Sequence, residues 1–454
     1  MSKSAEMNLT VGSPGKVILR FCIPILLTNL LQNLYSTIDT IVIGQFLGKE
    51  ALAGSGSTGA VNFLVIGFCM GLCMGFAIPV AQFFGAGDLS SLRRTYANSI
   101  WASVVSAILI TITVCIFCRQ ILILMQTPDS VIDMAYNYIF IIFAGIPITI
   151  AYNLLSGIIR ALGDSRSPLY FLMAASIVNI GFDILSVTVL HMGVQGPALA
   201  TLLAQLFSAL LCVLHIRKHF SILHIEDRSE WRPDSSYLYL LCSMGIPMGL
   251  QFSITAIGSV ILQAGVNTLG ADSIAAVSAA TRFILFVESP LDSMGAAMST
   301  YAGQNIGARE VDRVGQGLRA ACILGFIYSV ASFVVMLFAV RYCMLLFIKP
   351  EETLALTQAS QYCLISVLFF PLLVIVNTFR STIQGIGHSS FAMIAGIMEM
   401  IARSLVGFWL IPAFGFLVSC FSSPIAWVFA DVFLIPAYFY VMKKARVTSL
   451  LHRN

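Results

Sequence analysis

Long apolar runs separated by short polar segments make up most of this chain. Twelve runs reach or exceed the roughly 20 residues that a helix needs to cross a bilayer. They cover about 17–44, 52–83, 96–118, 131–160, 168–190, 197–216, 238–266, 274–305, 318–340, 354–380, 390–412 and 417–442. The runs are continuous and do not alternate, which favours helices over a membrane β-barrel. The pattern predicts an all-α membrane protein with twelve transmembrane helices.

Composition supports a membrane environment. Charged residues make up 10% of the 454 residues, hydrophobic residues make up 58%, and the mean hydropathy is +0.91. Soluble domains carry about 25% charged residues. The first 15 residues are polar, and the first apolar run is too long for a signal sequence. We therefore expect no cleavable signal peptide.

The two halves of the chain repeat one another at an offset of 222 to 224 residues. The matched pairs are Pro24 and Pro247, Gly48 and Gly270, Gln82 and Gln304, and Gly163 and Gly387. Small residues also recur at a spacing of four at Gly67, Gly71 and Gly75, which is typical of closely packed membrane helices. Internal duplication of long apolar segments is typical of secondary transporters, which bind substrate between the repeats.

A long polar stretch at 217–236 lies at the midpoint of the chain and predicts a linker. The predicted domains are an N-terminal six-helix lobe at 1–216, a cytoplasmic linker at 217–236 and a C-terminal six-helix lobe at 237–454. Six spans bring the chain back to its starting side. The two lobes are therefore expected to be related by a parallel repeat.

Lys and Arg residues collect on one side of the predicted membrane. Nineteen of the 25 fall in segments that are cytoplasmic if the N-terminus is cytoplasmic, and only Lys49, Arg119, Arg341 and Lys349 fall in the outer loops. This bias predicts a multi-pass protein of the cell inner (plasma) membrane with both termini in the cytoplasm. It also accounts for the net charge of +4 without a nucleic-acid partner.

Residues typical of catalysis or metal binding form no recognisable constellation. The 11 Cys are scattered through apolar runs, the six His are dispersed, and no Gly-rich phosphate-binding loop is present. Cysteines in such runs are interpreted as apolar filler. We therefore expect neither an enzyme nor a cofactor.

Two carboxylates in the apolar runs of the first half are the main candidates for function. Asp39 lies in helix 1, and Gln32 and Tyr35 precede it on a similar face. Asp183 lies in helix 5, four residues after Asn179, so both share one helix face. The aligned positions of the second half carry no carboxylate. Acids inside a membrane are costly and usually functional, although helix-packing hydrogen bonds are the alternative interpretation.

The second half has its own charged residues within apolar runs. They are Arg282, Glu288, Asp292, Glu399, Arg403 and Asp431. Glu399 and Arg403 are four apart and are expected to pair, which favours a structural role. Glu288 and Asp292 share a face around Pro290, and they either attract cationic substrate in a cavity or serve in packing.

Several motifs together resemble the multidrug and toxic compound extrusion (MATE) family over nearly the whole chain. They are FCIPILLTNLLQNLYSTIDTIVIGQFLGKEALA, GAGDLSSLRR, RALGDSRSP, GVQGPALATLLAQ and AMSTYAGQNIGA. The resemblance implies two six-helix bundles around a V-shaped central cavity. It also implies an antiporter that exports small organic, usually cationic, drugs or metabolites in exchange for H⁺ or Na⁺. The expected partners are this substrate and the lipid bilayer, and the protein is expected to be a monomer.

The resemblance also implies roles for individual residues. In the branch with a cation site in the N-terminal lobe, the matching positions are Asp39, Asn153, Asn179, Asp183 and Thr201, with Na⁺ as one candidate ligand of Asp39, Asn179 and Asp183. Pro24 matches a proline at which helix 1 bends, and a tolerated kink without a switching role is the alternative. Another branch has carboxylates in helices 7 and 10, which this chain lacks. A flippase of a lipid-linked precursor is the alternative function, because it shares the superfamily fold.

Overall fold

All regular structure in the described part of the chain is helical. The computed structural model describes residues 8–125, 127–225 and 227–451. The α-helices are α1 Pro14–Val42, α2 Gly48–Ser57, α3 Gly59–Ala86, α4 Leu89–Ile116, α5 Cys118–Leu124, α6 Ile132–Ala144, α7 Ile146–Ala161, α8 Arg166–Thr188, α9 Gln195–His219, α10 Ser235–Val266, α11 Ala271–Gly307, α12 Val311–Met344, α13 Thr353–Leu368, α14 Phe370–Ile386, α15 Ser389–Leu405, α16 Ile411–Phe414, α17 Phe416–Cys420 and α18 Ser422–Leu451. The predicted all-α class is confirmed. Lys3 and Arg453, two of the predicted inner basic residues, lie outside the described ranges.

Ten helical segments in these ranges are long and apolar enough to cross a membrane, and two bent pairs raise the number to as many as twelve. The bent pairs are α6 with α7, at 47°, and α13 with α14, at 51°. Pro147 and Pro371 each occupy the first turn after the break. A proline removes one backbone hydrogen bond and crowds the preceding turn, which accounts for a bend at this point.

The bends are duplicated, and so are the backbone turns around them. Pro147 and Pro371 are 224 residues apart, as are Gly163 and Gly387, which have φ of +91° and +107°. Gly48 and Gly270, 222 residues apart, have φ of +85° and +93°. Residues with side chains rarely adopt these left-handed conformations, so glycine ends the helix at corresponding places in both halves.

The chain divides into two compact units whose boundaries fall inside long helices. Among the described residues, unit 1 comprises Asn8 and 27–250, and unit 2 comprises 9–26 and 251–451. The predicted domains instead met at the 217–236 linker. The difference arises because the first part of α1 packs with unit 2 and the first part of α10 packs with unit 1. Each of these helices therefore contributes to both units.

Within unit 1, small residues allow close helix packing. A Cβ added at Gly75 of α3 would lie 2.4 Å from the Cα of Gly245 in α10. Large apolar side chains such as Phe76, Phe143 and Ile158 fill the surrounding core and are fully buried. Lipid is as apolar as the core, so close van der Waals contact is what stabilises these helix pairs. The predicted role of Gly75 in close approach is confirmed.

Unit 2 contains a similar crossing between α11 and α14. A Cβ added at Gly385 would lie 2.3 Å from the backbone oxygen of Ser299. Helix α18 packs along α14 and α15 on another side of the unit. These three helices carry most of the charged side chains in the interior of unit 2.

Candidate functional site

Three helices of unit 1 bring the predicted polar residues together in an otherwise apolar interior. Asp39 comes from α1, Asn179 and Asp183 come from α8, and Thr201 comes from α9. The exposed fractions of Asp39, Asn179 and Asp183 are 9%, 1% and 0%. Asp183, Thr201 and Asn179 are all close enough to interact directly with the carboxyl group of Asp39. The structure therefore unites the four residues that the sequence placed in three separate runs.

Thr201 makes a direct hydrogen bond to the Asp39 carboxylate. Its Oγ1 lies 3.4 Å from Oδ2 of Asp39 and 3.1 Å from the backbone oxygen of Pro197. A hydroxyl has a single hydrogen to donate. Because two acceptors share this hydrogen, Thr201 satisfies the Asp39 carboxylate only in part.

Most polar atoms of this site have no hydrogen-bond partner among the described residues. These atoms are Oδ1 of Asp39, both amide atoms of Asn179 and both carboxyl oxygens of Asp183. Burying such groups without partners is costly in free energy. Two acids side by side are also difficult to ionise together. The arrangement can bind a cation or a proton at the unpaired carboxyl oxygens.

A small cavity adjoins these residues. The volume open to the centre of a water molecule is about 20 Å³, which is enough for about one water. Its walls are mixed polar and apolar. They are formed by Tyr35, Tyr152, Leu172, Ala175, Ser176, Asn179, Thr201, Ala204, Gln205 and Ser208.

The close packing of α8 and α9 holds the site in place. A Cβ added at Gly196, near the start of α9, would lie 2.4 Å from Oγ of Ser186 in α8. On the other side of α9, a Cβ added at Gly145 would lie 2.1 Å from Cδ2 of Leu202, the neighbour of Thr201. Glycine at these two positions lets the helices approach one another, and this approach sets the position of Thr201 relative to Asp183.

Other predicted residues of unit 1 have different surroundings. Nδ2 of Asn153 donates to the backbone oxygen of Thr149 at 2.8 Å, within its own helix, so its amide is engaged away from the acids. Gln32 is half-buried on α1 and lies outside the set that lines the cavity. Tyr35 lines the cavity and interacts electrostatically with Asp39. The predicted role of Asn153 beside the acids stays a prediction.

The sequence interpretation missed several polar residues around the acids. Tyr152 and Gln205 line the cavity, and Oγ1 of Thr149 donates to Oε1 of Gln205 at 2.7 Å. Tyr138 interacts electrostatically with Asp39. Helical spacing could have indicated one of them, since Gln205 follows Thr201 by four residues.

A model of one known protein family matches both halves of the chain. It is the MatE model, and it matches residues 24–185 and again 247–409. The chain belongs to the MatE family. It is therefore a membrane transporter and not an enzyme. The two matches begin at Pro24 and Pro247, in agreement with the duplication seen in the sequence.

Individual relatives match this MATE chain over almost its full length. The probable multidrug resistance protein YoeA of Bacillus subtilis (strain 168) is 27% identical over 95% of both chains. The probable multidrug resistance protein YpnP of the same organism is 28% identical over 89% of this chain and 88% of its own. A crystal structure of MATE in complex with MaL6 is 22% identical with a TM-score of 0.88, covering 98% of this chain and 100% of that one. This likeness shows the fold.

The MATE fold of this chain places a second polar cluster in unit 2. Arg380 of α14 hydrogen-bonds and pairs with Glu399 of α15. Arg403 lies 4.0 Å from the other oxygen of Glu399 and donates to Oγ of Ser259 at 2.9 Å. The predicted pairing of Glu399 with Arg403 is therefore confirmed as the longer of two ion pairs. Arg380, counted in the sequence as an inner basic residue, is instead a buried partner.

The acids of α11 differ from each other in exposure. Glu288 is half-buried, and Arg403 and Asp292 act electrostatically on it. Asp292 is exposed, and its Oδ1 accepts a hydrogen bond from Nδ2 of Asn377 at 2.8 Å. Arg282 was grouped with the interior charges but is exposed. Glu288 and Asp292 are thus one turn apart on an accessible part of unit 2.

The proline of α1 lies close to the point where the helix passes from one unit to the other. Pro24 is inside α1, and the unit boundary falls between Leu26 and Leu27. In α10, Pro247 precedes the boundary between Leu250 and Gln251 in the same way. The α-helix continues through both prolines, so the predicted bend at Pro24 stays a prediction.

Proposed function

We propose that this protein exports small organic compounds across the plasma membrane in exchange for H⁺ or Na⁺. The coupling ion binds at Asp39, Asn179, Asp183 and Thr201. Family membership supports transport, and the names of YoeA and YpnP associate those relatives with multidrug resistance. The cargo is a drug-like or metabolite-like molecule, with preference for amphipathic cations.

One observation supports the coupling site above all others. Asp39 and Asp183 are buried together, and three of their four carboxyl oxygens have no hydrogen-bond partner among the described residues. The two acids act on each other, and Asn179 and Thr201 also act on Asp39. A bound cation neutralises such a pair and satisfies its oxygens. A proton does so by converting one carboxylate to an uncharged acid.

Loss or gain of this charge can change which state of the transporter is favoured. An ionised pair retains water and cations in the lobe, whereas a neutralised pair allows the helices around it to pack without them. A ligand shifts such an equilibrium only by its difference in affinity for the two states. The buried, incompletely satisfied pair provides that difference, because a closed lobe cannot hydrate it.

The experiment compares the variants Asp39→Asn and Asp183→Asn in proteoliposomes that contain a cationic dye. Asn keeps the volume and the hydrogen-bonding capacity but cannot titrate. Both variants should lose gradient-driven transport to the level of empty liposomes. The matched control is Asp133→Asn, which removes an exposed carboxylate paired with Arg119 at 3.4 Å. The control should transport like the unmodified protein.

Imposed gradients identify the ion. If the ion is H⁺, a pH gradient alone drives dye movement; if it is Na⁺, a sodium gradient at constant pH does so. Wild-type rates in either acid variant, under the gradient that drives the unmodified protein, would exclude that residue as a coupling group. Dye counterflow without any gradient checks that the variants still bind and move substrate.

The alternative flippase function has less support in the described residues. An anionic lipid precursor would require basic side chains free to bind it. The interior arginines Arg380 and Arg403 are instead engaged with Glu399 and Ser259. Their charge is committed within unit 2, which favours the export of cationic or neutral compounds.

We also propose that the protein acts as a monomer and that both termini and the linker are cytoplasmic. The nineteen inner basic residues motivate this orientation. A single cysteine introduced at Ser229, in a background without accessible native cysteines, should react with an impermeant reagent only after the membrane is opened. One at Lys49 should react in intact cells, and the reverse pattern would disprove the orientation.

A further inference from the structure

Asp431 is a buried acid that the proposed coupling mechanism does not use. It lies in α18 within unit 2 and is 5% exposed. Neither of its carboxyl oxygens has a hydrogen-bond partner among the described residues. A buried carboxylate in this situation lacks both solvation and compensation. The groups around Asp431 therefore have to account for the burial of its carboxyl group.

The elements that pack against α18 present few groups to Asp431. Helix α14 contributes Arg380, which interacts electrostatically with Asp431 and also with Asp292. The charged residues of α15 are Glu399 and Arg403. In α12, the Cys322 thiol interacts electrostatically with Asp431. The short α17 contributes Cys420, whose thiol is directed at its own helix backbone. Arg380 is thus the one cation shown to act on Asp431.

Arg380 is already committed to another acid. Its guanidinium hydrogen-bonds Glu399, and Glu399 also has Arg403 at 4.0 Å. Glu399 therefore has two cationic neighbours within 4.0 Å. The Arg380 guanidinium pairs closely with Glu399, and the described residues show no such ion pair or hydrogen bond for Asp431. The negative charge of Glu399 thus has close compensation that a charge on Asp431 would lack.

We propose that Asp431 is a second proton-binding site, in unit 2, and that Arg380 is the switch between its two states. While Arg380 pairs with Glu399, Asp431 holds a proton on one carboxyl oxygen. When Arg380 turns toward Asp431, the O–H bond breaks, the proton passes to water, and the new carboxylate pairs with the guanidinium. Glu399 then retains Arg403. The proposal goes beyond the coupling site of unit 1 and does not depend on it.

Infrared spectroscopy of the full-length protein in nanodiscs tests this directly, because protonated carboxylic acids absorb apart from carboxylates. The spectrum of the unmodified protein minus that of Asp431→Asn should show one carboxylic-acid band at neutral pH. That band should disappear as the pH is raised. The matched control Asp312→Asn, which removes an exposed carboxylate paired with Arg446 at 3.1 Å, should give no such band. Asp39→Asn should leave the Asp431 band in place.

A second variant tests the role of Arg380. Glu399→Gln keeps the shape of the side chain but frees Arg380 to pair with Asp431. The Asp431 band should then be lost at neutral pH although Asp431 is still present. Absence of an Asp431-dependent band in the unmodified protein, or its persistence in Glu399→Gln, would overturn the proposal. Both infrared measurements are made without transport. A failure of the proposed antiport would therefore leave their outcome unchanged, and the two proposals can fail separately.

Discussion

The polar interiors of the two units contrast sharply although their scaffolds correspond. In unit 1, Asp39 and Asp183 are accompanied by an amide and a hydroxyl. In unit 2, Glu399 is accompanied by the guanidinium groups of Arg380 and Arg403. The bends at corresponding prolines and the left-handed glycines are nevertheless shared. Duplication has thus preserved the backbone architecture while the buried charges diverged.

This contrast indicates which buried carboxylates can exchange an ion and which stabilise helix packing. An acid pair without a cationic side chain needs a partner from outside the chain, and such a partner can be exchanged. A carboxylate paired with guanidinium groups already has its partner, so the interaction stabilises one packing arrangement. We therefore assign exchange of the coupling ion to unit 1, whereas Glu399 of unit 2 keeps Arg403 as a partner in either position of Arg380.

The largest expected effect follows from breaking the pairing in unit 2. Arg380→Gln leaves Glu399 and Asp431 without their shared cation, and loss of one partner from a buried pair typically costs about 3 to 5 kcal/mol. The variant should melt at a clearly lower temperature in detergent. Asp183→Asn, which removes an uncompensated charge from unit 1, should melt at the same or a higher temperature.

The double variant Arg380→Gln with Glu399→Gln sharpens this test. Removing both partners leaves no unpaired charge at Glu399, so the double variant should be less destabilised than Arg380→Gln alone. Equal melting temperatures for Arg380→Gln and Asp183→Asn would contradict the distinction between the two units.

A smaller effect is expected from neutralising the accessible acids of α11. Two unit charges about 10 Å apart at an effective dielectric of about 20 interact by about 1.7 kcal/mol. Each acid is thus worth somewhat more than a factor of ten, so replacing Glu288 by Gln and Asp292 by Asn should weaken binding of a cationic dye at least about tenfold, with little effect on a matched neutral dye. Equilibrium binding to the purified protein measures both.

The control for this pair is Asp272→Asn, an exposed acid in the first turn of the same helix. It should leave both dyes unaffected. An equal loss of affinity for cationic and neutral dyes in the double variant would indicate damage to packing, and an unchanged preference for the cation would remove the acids from recognition.

The smallest expected effect compares two corresponding helix starts. The Asp88 carboxylate caps α4 by accepting the backbone N–H of Ser91 at 3.0 Å, whereas Glu310, at the start of α12, makes no side-chain cap. Asp88→Ala should therefore cost about 1 kcal/mol, and Glu310→Ala should cost much less. Melting temperatures of the two variants decide this.

The contribution of Asp88 should also depend on pH. Hydrogen bonds from the Ser91 hydroxyl and backbone lower the pKa of Asp88. Its stabilising effect is therefore complete above the unfolded value of about 3.9 and is lost as the pH falls through the lower folded value. If the melting temperatures of Asp88→Ala and the unmodified protein still differ at a pH below the folded pKa of Asp88, the ionised Asp88 carboxylate is not the source of the stabilisation.

Much of the fold could be predicted because membrane helices are encoded locally. Apolar length and the repeat offset are both visible in the sequence, and the structure shows helices and corresponding turns at these places. The acid site could also be predicted in part, since Asn179 and Asp183 lie one turn apart on a single helix. Asp39 joined them only through the family resemblance, because contacts between helices leave no local pattern.

The features that could not be predicted from the sequence also depend on contacts between helices. Arg380 was assigned to an inner segment because it stands at the end of an apolar run, and only packing of α14 against α15 reveals its pairing with Glu399. The unit boundaries could not be predicted because a continuous helix gives no sign of where its neighbours change.

The sharing of α1 between the units has a consequence for the order of folding. Residues 9–26 emerge early from the ribosome, yet their partners in unit 2 are encoded almost 300 positions later, as when the backbone N–H of Leu9 donates to Oε1 of Gln304 at 3.0 Å. Contacts of such sequence separation form late. The start of this protein must therefore remain without its final neighbours, exposed to lipid and to insertion machinery, until synthesis of the second repeat is well advanced.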